Sequence, residues 1–195
     1  MALPADDVAR SLRGSWRLMS QGASALPELD LSGAGFLRSY AAAVLTLPAM
    51  VAVLAAERAM AGLPNSEGLF QSPALVAAVI LSQAAAFLCL PALLIGLAPG
   101  LLRAPALPGF VIAWNWTEIL AASLLAVPAA VHAVGWSTPE IAAMQWLAFS
   151  VIVARLRYSA AEATLGAERG LALTIVGASF LIQFAMARAL GLWGF

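Results

Sequence analysis

Lysine is absent from this sequence, and charge of either sign is scarce. All ten basic residues are arginine, and only 10% of the 195 residues are charged. A soluble domain carries about 25% charged residues, so a soluble fold would leave most of its surface apolar. The formal net charge is zero and no basic stripe with interleaved aromatic residues is present, which excludes a nucleic-acid-binding surface.

Residues that carry enzymatic chemistry are also few. The single cysteine, Cys89, excludes an intrachain disulfide and a cysteine-based metal cluster. The single histidine, His132, has no companions for a zinc site or a catalytic triad. The sequence contains no GxSxG, HExxH or P-loop motif. We therefore predict a protein that is not an enzyme and holds no metal or other cofactor.

Apolar residues, in contrast, make up 63% of the chain, and the mean hydropathy is +0.92. Five apolar segments are separated by Pro-, Gly- or Ser-containing breaks: 36–62, 72–100, 108–135, 139–158 and 170–195. Each is long enough for a membrane-crossing helix of about 20 residues. The predicted fold class is an all-α membrane protein, with residues 36–195 forming one compact bundle of five transmembrane helices.

Residues 1–35 lack the apolar stretch of a signal peptide and are predicted to form a cytoplasmic segment. Helical periodicity over residues 6–20 places two sets of side chains on adjacent faces: the apolar set Val8, Leu12, Trp16 and Met19, and the basic set Arg10, Arg13 and Arg17. This pattern is typical of an amphipathic helix that lies in the lipid headgroup region. The alternative is a short helix packed on a partner or on the protein's own loops.

The arginines predict the orientation in the membrane. Eight lie on the side shared by the N-terminus and the second and fourth loops: Arg10, Arg13, Arg17, Arg38, Arg103, Arg155, Arg157 and Arg169. Only Arg58 and Arg188 lie on the opposite side. The positive-inside rule then places the N-terminus in the cytoplasm and the C-terminus outside. The Arg-only, Ala- and Leu-rich composition is typical of a GC-rich bacterial genome, so we expect a bacterial inner (cytoplasmic) membrane.

The third segment carries the best candidate for a functional residue. A carboxylate in hydrocarbon is costly, so Glu118 must be paired, protonated, or facing water or another protein. Asn115 shares its helix face at a spacing of three. If the fourth span ends near Ser159, Arg155 lies about 6 Å inside the membrane on the same side. We predict a Glu118–Arg155 pair, which either acts in function or only locks two helices in register.

Single polar groups in the other spans extend this intramembrane site. Gln83, Gln145 and Gln183 either converge with Glu118 or form hydrogen bonds between helices, and we expect Asn115 together with Gln145 or Gln183 to add hydrogen bonds to the pair. His132 lies about 21 Å from Glu118 along one straight helix, so the two cannot share a metal or a proton. We expect His132 to be solvated or bonded to a loop carbonyl.

Three spans contain an internal proline: Pro48, Pro91 and Pro128. Proline removes a backbone hydrogen bond and kinks a helix. Discontinuous transporter helices are the alternative, but the neighbouring residues are mostly Ala and Leu rather than Gly. We therefore predict ordinary kinks.

One family shares these features. The cytoplasmic segment SLRGSWRLM, a following Pro and acidic turn, and five spans with Trp114-Asn115-Trp116 in the third resemble the bacterial branch of Yip1-like membrane proteins. The resemblance is one of topology over most of the chain. It implies a membrane-embedded, non-enzymatic adaptor or assembly factor, and it transfers no site residues.

Two functions remain open. The first is a structural or accessory subunit of a membrane complex, in contact with lipid and with other integral membrane proteins or a second copy. The alternative is a small transporter or channel with a polar intramembrane site around Glu118, which requires oligomerisation or a water-filled cavity that reaches this carboxylate. An intramembrane enzyme has the least support.

Overall fold

The computed structural model describes residues 4–60, 72–97, 106–166 and 168–189, and its regular structure there is entirely helical. In chain order the elements are α1 (Ala5–Gln21), a 3₁₀ segment (Gly22–Glu28), α2 (Gly33–Ser39), α3 (Ala42–Leu45), α4 (Leu47–Met60), α5 (Pro73–Leu97), α6 (Ala106–Ala133), α7 (Pro139–Leu165) and α8 (Arg169–Ala189). The predicted all-α fold is confirmed for these residues.

Among the described residues, five stretches are long and apolar enough to cross a membrane: Gly33–Met60, Val76–Gly96, Ala106–Ala133, Pro139–Leu165 and Arg169–Ala189. The prediction of five such helices is therefore confirmed. The predicted segment ends at 61–62, 98–100 and 190–195 lie outside the described residues.

The fourth segment is longer than predicted. α7 continues past Tyr158 to Leu165, because residues 159–165 are rich in Ala, which favours a helix whether or not the stretch is strongly apolar. The helix ends where Gly166 adopts a left-handed conformation with φ 58°, which glycine tolerates at a helix C-terminus. The helix therefore extends past the predicted end of the apolar segment near Tyr158, because a fall in hydropathy does not end a helix.

α6 lies at the centre of the bundle. In its most apolar window 67% of the residues are buried, compared with 22% to 33% in the other four spans. Ten consecutive residues, 110–119, are buried, so every side of the helix is covered there. α6 contacts α7, α4, α2 and α1. A helix that is buried all round occupies a core position, so α6 holds the side chains around which the other spans pack.

The first span is interrupted. Tight i→i−3 bonds, from Ala41 N to Arg38 O and from Val44 N to Ala41 O, precede the junction at Thr46 that separates α3 from α4. Pro48 lies in the first turn of α4, where its missing N–H has no helical partner to lose. The predicted simple kink at Pro48 is therefore a break between short helices. In contrast, α5 and α6 continue through their prolines.

The N-terminal segment packs on the bundle. α1 contacts α6 and α7, and the 3₁₀ segment contacts α7. The buried side of α1 consists of Ser11, Gly14, Ser15 and Leu18. A Cβ on Gly14 would lie 2.9 Å from Glu28 Cβ, so the small residue allows this close approach. The packing of α1 on the bundle agrees with the alternative prediction, in which this helix packs on the protein itself rather than in the lipid headgroups. Placement of the opposite side in lipid headgroups stays a prediction.

Candidate functional site

The buried carboxylate of α6 pairs with an arginine of α7. Arg157 Nη2 donates to Glu118 Oε2 at 2.7 Å, and the exposed fractions of the two side chains are 1% and 10%. Glu118 is twelve residues from the start of α6, or about 18 Å along the helix. The pair therefore lies near the middle of the span, where neither charge is solvated.

Arg157 takes the place predicted for Arg155, and that prediction was wrong. Residues two positions apart on an α-helix are about 200° apart around its axis. Arg155 is therefore on the other side of α7, where its Nη2 donates to Met19 O at 3.3 Å and its guanidinium lies 5.5 Å from the centroid of the Tyr158 ring. Arg155 is exposed, and its hydrogen bond to Met19 joins α7 to α1 rather than to Glu118.

The fifth span completes the site. Arg157 Nη1 donates to Ser179 Oγ at 3.2 Å and to Gln183 Oε1 at 3.4 Å, and Gln183 Nε2 donates to Glu118 Oε1 at 3.3 Å. Gln183, predicted as a member of the polar site, lies there. Ser179 was missed, although its spacing of four from Gln183 places both residues on one face of a helix. Polar side chains thus join α6, α7 and α8.

Aromatic rings surround the guanidinium of Arg157. Its Cζ lies 5.5 Å from the centroid of Trp114 and 5.2 Å from that of Phe180. At these distances the ring faces attract a cation, and the attraction is strongest where water is excluded. Arg157 Nε makes no hydrogen bond within the described part of the chain. The arginine is therefore held in place by one carboxylate, two polar side chains and two rings.

Asn115 does not join the pair. Its Nδ2 donates to Ser39 Oγ at 2.9 Å, and Ser39 in turn donates to the carbonyl of Phe36 at 2.7 Å. Its Oδ1 is buried without a partner among the described residues. Asn115 therefore ties α6 to α2, and its predicted hydrogen bond to the Glu118 pair was wrong.

The remaining glutamines are separated. Gln145 lies twelve residues before Arg157 on α7, or about 18 Å away along the axis, and its buried Oε1 has no partner in the described residues. Its predicted contact with the pair was therefore wrong. Gln83 on α5 donates to Thr46 Oγ1 at 2.6 Å and to Ala43 O at 3.3 Å, so it bonds the break in the first span.

A cavity of about 620 Å³ reaches the pair. Residues of α4, α5, α6 and α8 form most of its wall, together with Trp146 of α7. Most of the wall is apolar, and its polar members include Ser82, Gln83, Glu118 and Gln183. A largely apolar pocket with a few convergent polar groups is the usual form of a small-molecule site.

The predicted membrane-interface residues lie on the outer side of α1. Arg10 pairs with Asp7 at 2.6 Å, Arg17 pairs with Glu28 at 2.6 Å, and Trp16 is 47% exposed. Arg13 is also exposed. Arginine and tryptophan on one accessible side remain compatible with a headgroup contact.

A further network anchors α1 to the start of the first span. Arg38 pairs with Asp7 at 3.2 Å and with Asp30. Hydrogen bonds from the side chain and backbone of Ser32, followed by the Arg38 charge, hold the pKa of Asp30 below its ordinary value.

His132 Nδ1 lies 3.0 Å from Ser137 O, which agrees with the expected loop contact.

No protein-family model, curated protein or solved structure matches this chain. Within the described residues, no group of three or more His, Cys, Asp or Glu side chains could hold a metal ion. The site consists of a neutralised charge pair, a polar extension into α8, and a cavity against Glu118.

Proposed function

We propose that this chain is a non-enzymatic, multi-pass membrane protein that binds a small molecule within the bilayer and carries it at the polar site around Glu118. The observation that supports this function most directly is the cavity that reaches Glu118. A carrier of a bilayer-soluble molecule needs a cavity at this carboxylate, and the accessory-subunit interpretation does not need one.

The size of the cavity favours a small molecule over part of a partner protein. Its volume, about 620 Å³, falls within the roughly 300–1,000 Å³ of small-molecule pockets. A transmembrane helix is about 10–12 Å across, so about five of its residues would fill this volume. A helix that crosses the bilayer has about 20 residues, about four times as many as the cavity could hold. A small molecule is therefore the better fit.

The accessory-subunit function is the second candidate, and the closed charge pair favours it. Glu118 and Arg157 neutralise each other, and Arg157 is only 1% exposed. A pair of this kind can fix three helices in register without moving a substrate. If the chain is a Yip1-like protein, its adaptor or assembly role would be a form of this accessory-subunit function.

For either function we place the protein in a bacterial inner membrane with the N-terminus in the cytoplasm. The distribution of arginines supports this orientation. α1 then lies at the cytoplasmic surface, with Trp16 and Arg13 toward the lipid headgroups.

The test is to purify the full chain in native-lipid particles and to measure by mass spectrometry which molecules remain bound. Gly177 lines the cavity, and a Cβ added there meets no atom within 4 Å, so Gly177→Leu adds a side chain at the cavity wall without a clash at its Cβ. Gly170→Leu is the matched control, because Gly170 is equally open, lies on the same helix and is not part of the cavity wall.

We expect one small molecule per chain in the wild type and in Gly170→Leu, and its loss from Gly177→Leu. A companion protein bound at one copy per chain, with no small molecule, would contradict the carrier function and support the accessory one.

A further inference from the structure

We infer that the cavity takes a neutral amphiphile, with one apolar body and a hydroxyl head that donates a hydrogen bond. This inference rests on the proposed function, because it names the class of molecule bound at the same site. Three features of the cavity point to this class: the polar atoms available on its wall, the charge of the wall, and the side on which it opens.

The available polar atoms are mainly acceptors. A carboxylate only accepts, with about four lone-pair sites, and Glu118 gives two of them to Arg157 and Gln183. Gln83 uses its amide nitrogen to donate to Thr46 and to a carbonyl of the first span, which leaves its Oε1 to accept. A head group that donates satisfies these oxygens, whereas one that only accepts leaves buried polar atoms unpaired.

The charge of the wall favours a neutral head. Glu118 is already neutralised by Arg157, and Arg157 lies behind it, outside the cavity wall. A cationic ligand would therefore add a charge without a counter-ion in a low-dielectric site, which is costly. An anionic ligand would meet the carboxylate of Glu118 before it could reach Arg157.

The cavity opens on the side of the bundle. Leu181 and Phe184 of α8 both line it and are 70% and 50% exposed, so its wall is continuous with a surface that faces hydrocarbon in a spanning helix. Met50 and Val53 of α4 form another part of the wall. An amphiphile already dissolved in the bilayer can reach the cavity sideways, place its apolar body between α4 and α8, and direct its hydroxyl to Glu118.

The experiment uses the full chain in nanodiscs and three radiolabelled probes that share one hexadecyl chain: 1-hexadecanol, palmitate and hexadecylammonium. Binding is the excess over protein-free nanodiscs. We expect the alcohol to bind at least about tenfold more tightly than either charged probe, a difference of about 1.4 kcal/mol. Gly177→Leu should abolish this binding, and Gly170→Leu should retain it.

Glu118→Gln supplies a readout that a purely structural carboxylate would not change. Loss of the carboxylate leaves the Arg157 charge without its counter-ion, so affinity for palmitate should rise above affinity for the alcohol. The double variant Glu118→Gln/Arg157→Gln removes both charges and should keep the preference for the alcohol. It replaces the single variant in this test if the single variant does not fold.

Two results would overturn the inference. Tighter binding of a charged probe by the wild type would contradict the neutral class while leaving a small-molecule site in place. Failure of all three probes to bind above protein-free nanodiscs would reject this ligand class, and the molecules retained in native-lipid particles would then decide the proposed function separately.

Discussion

Glu118 Oε2 and Arg157 Nη2 lie 2.7 Å apart, and they join the central helix to α7 at a depth where neither side chain reaches water. A buried ion pair contributes little net stability relative to apolar packing, but loss of one partner leaves a buried, uncompensated charge. Substitution of Glu118 or Arg157 should therefore change the stability strongly, whereas substitution of the exposed Arg155 should not.

The first prediction concerns the pair itself. Glu118→Gln or Arg157→Gln should lower the free energy of unfolding by about 3–5 kcal/mol, and the double variant should lose less than the sum of the two. Reversible unfolding in mixed detergent, analysed as a double-mutant cycle, measures this coupling. Arg155→Gln is the control, and because Arg155 is exposed its effect should stay below about 1 kcal/mol. Strong coupling of Glu118 to Arg155 would contradict the structure.

The second prediction concerns the entrance to the first span. A Cβ on Gly35 would lie 1.9 Å from the carbonyl oxygen of Asp30, so the backbone must move to accept it. Gly35→Ala should cost about 1–3 kcal/mol of unfolding free energy, the usual penalty of overpacking. Gly33→Ala, where the new Cβ meets nothing within 4 Å, should be neutral or slightly stabilising. Equal effects of the two substitutions would show that α2 does not approach Asp30 in this way.

The third prediction concerns acid stability. The pKa of Asp30 is lowered chiefly by hydrogen bonds from Ser32 and then by Arg38, so its carboxylate stabilises the fold above the pKa of the unfolded chain. That contribution should disappear as the pH falls through the lower, folded pKa, beginning below about pH 5. Unfolding of wild type and Asp30→Asn, compared across this range, should differ at neutral pH and converge in acid. A difference that does not change with pH would contradict the prediction.

The fourth prediction concerns the break in the first span. Gln83 is buried and donates to Thr46 Oγ1 and Ala43 O across two spans. Gln83→Leu should cost about 0.5–1.5 kcal/mol, the net value of a typical hydrogen bond, and should speed hydrogen exchange at amides of residues 43–47. Ser82→Ala is the control, because Ser82 bonds only within α5, to Val79 O. Equal exchange in both variants would show that Gln83 does not hold the break.

Some of this architecture could be predicted from the sequence, and the missing parts have physical causes. Apolar runs locate membrane-crossing helices because the length of a span is set by the bilayer. The end of α7 was missed because Gly166, rather than hydropathy, ends the helix. The choice between Arg155 and Arg157 depends on the rotation of α7, which is set by packing: in the structure Val153 and Ala160, four and three positions from Arg157, are buried.

The rest could not be read from one sequence. Asn115 meets Ser39 across 76 positions, and no local periodicity links the two. The cavity depends on how four helices diverge around Glu118, which no single segment encodes. Both features are set by tertiary packing, so Glu118 and Gln183 could be proposed from the sequence, while their contacts with Arg157 and Ser179 could not.

The central claim is that the cavity beside Glu118 is a ligand site, and ligand-dependent stability tests it most directly. A molecule that binds only the folded chain stabilises it by about 2.7 kcal/mol when its concentration is about 100 times Kd. The measurement is the free energy of unfolding of the wild type, Gly170→Leu and Gly177→Leu, each with and without 1-hexadecanol. Without ligand, Gly177→Leu should gain up to about 1 kcal/mol because it removes a glycine from the interior of α8, and Gly170→Leu, at the second residue of α8, should gain less.

We expect 1-hexadecanol to stabilise the wild type and Gly170→Leu equally and to leave Gly177→Leu unchanged. An equal ligand response in all three proteins would place the binding outside this cavity and contradict the account.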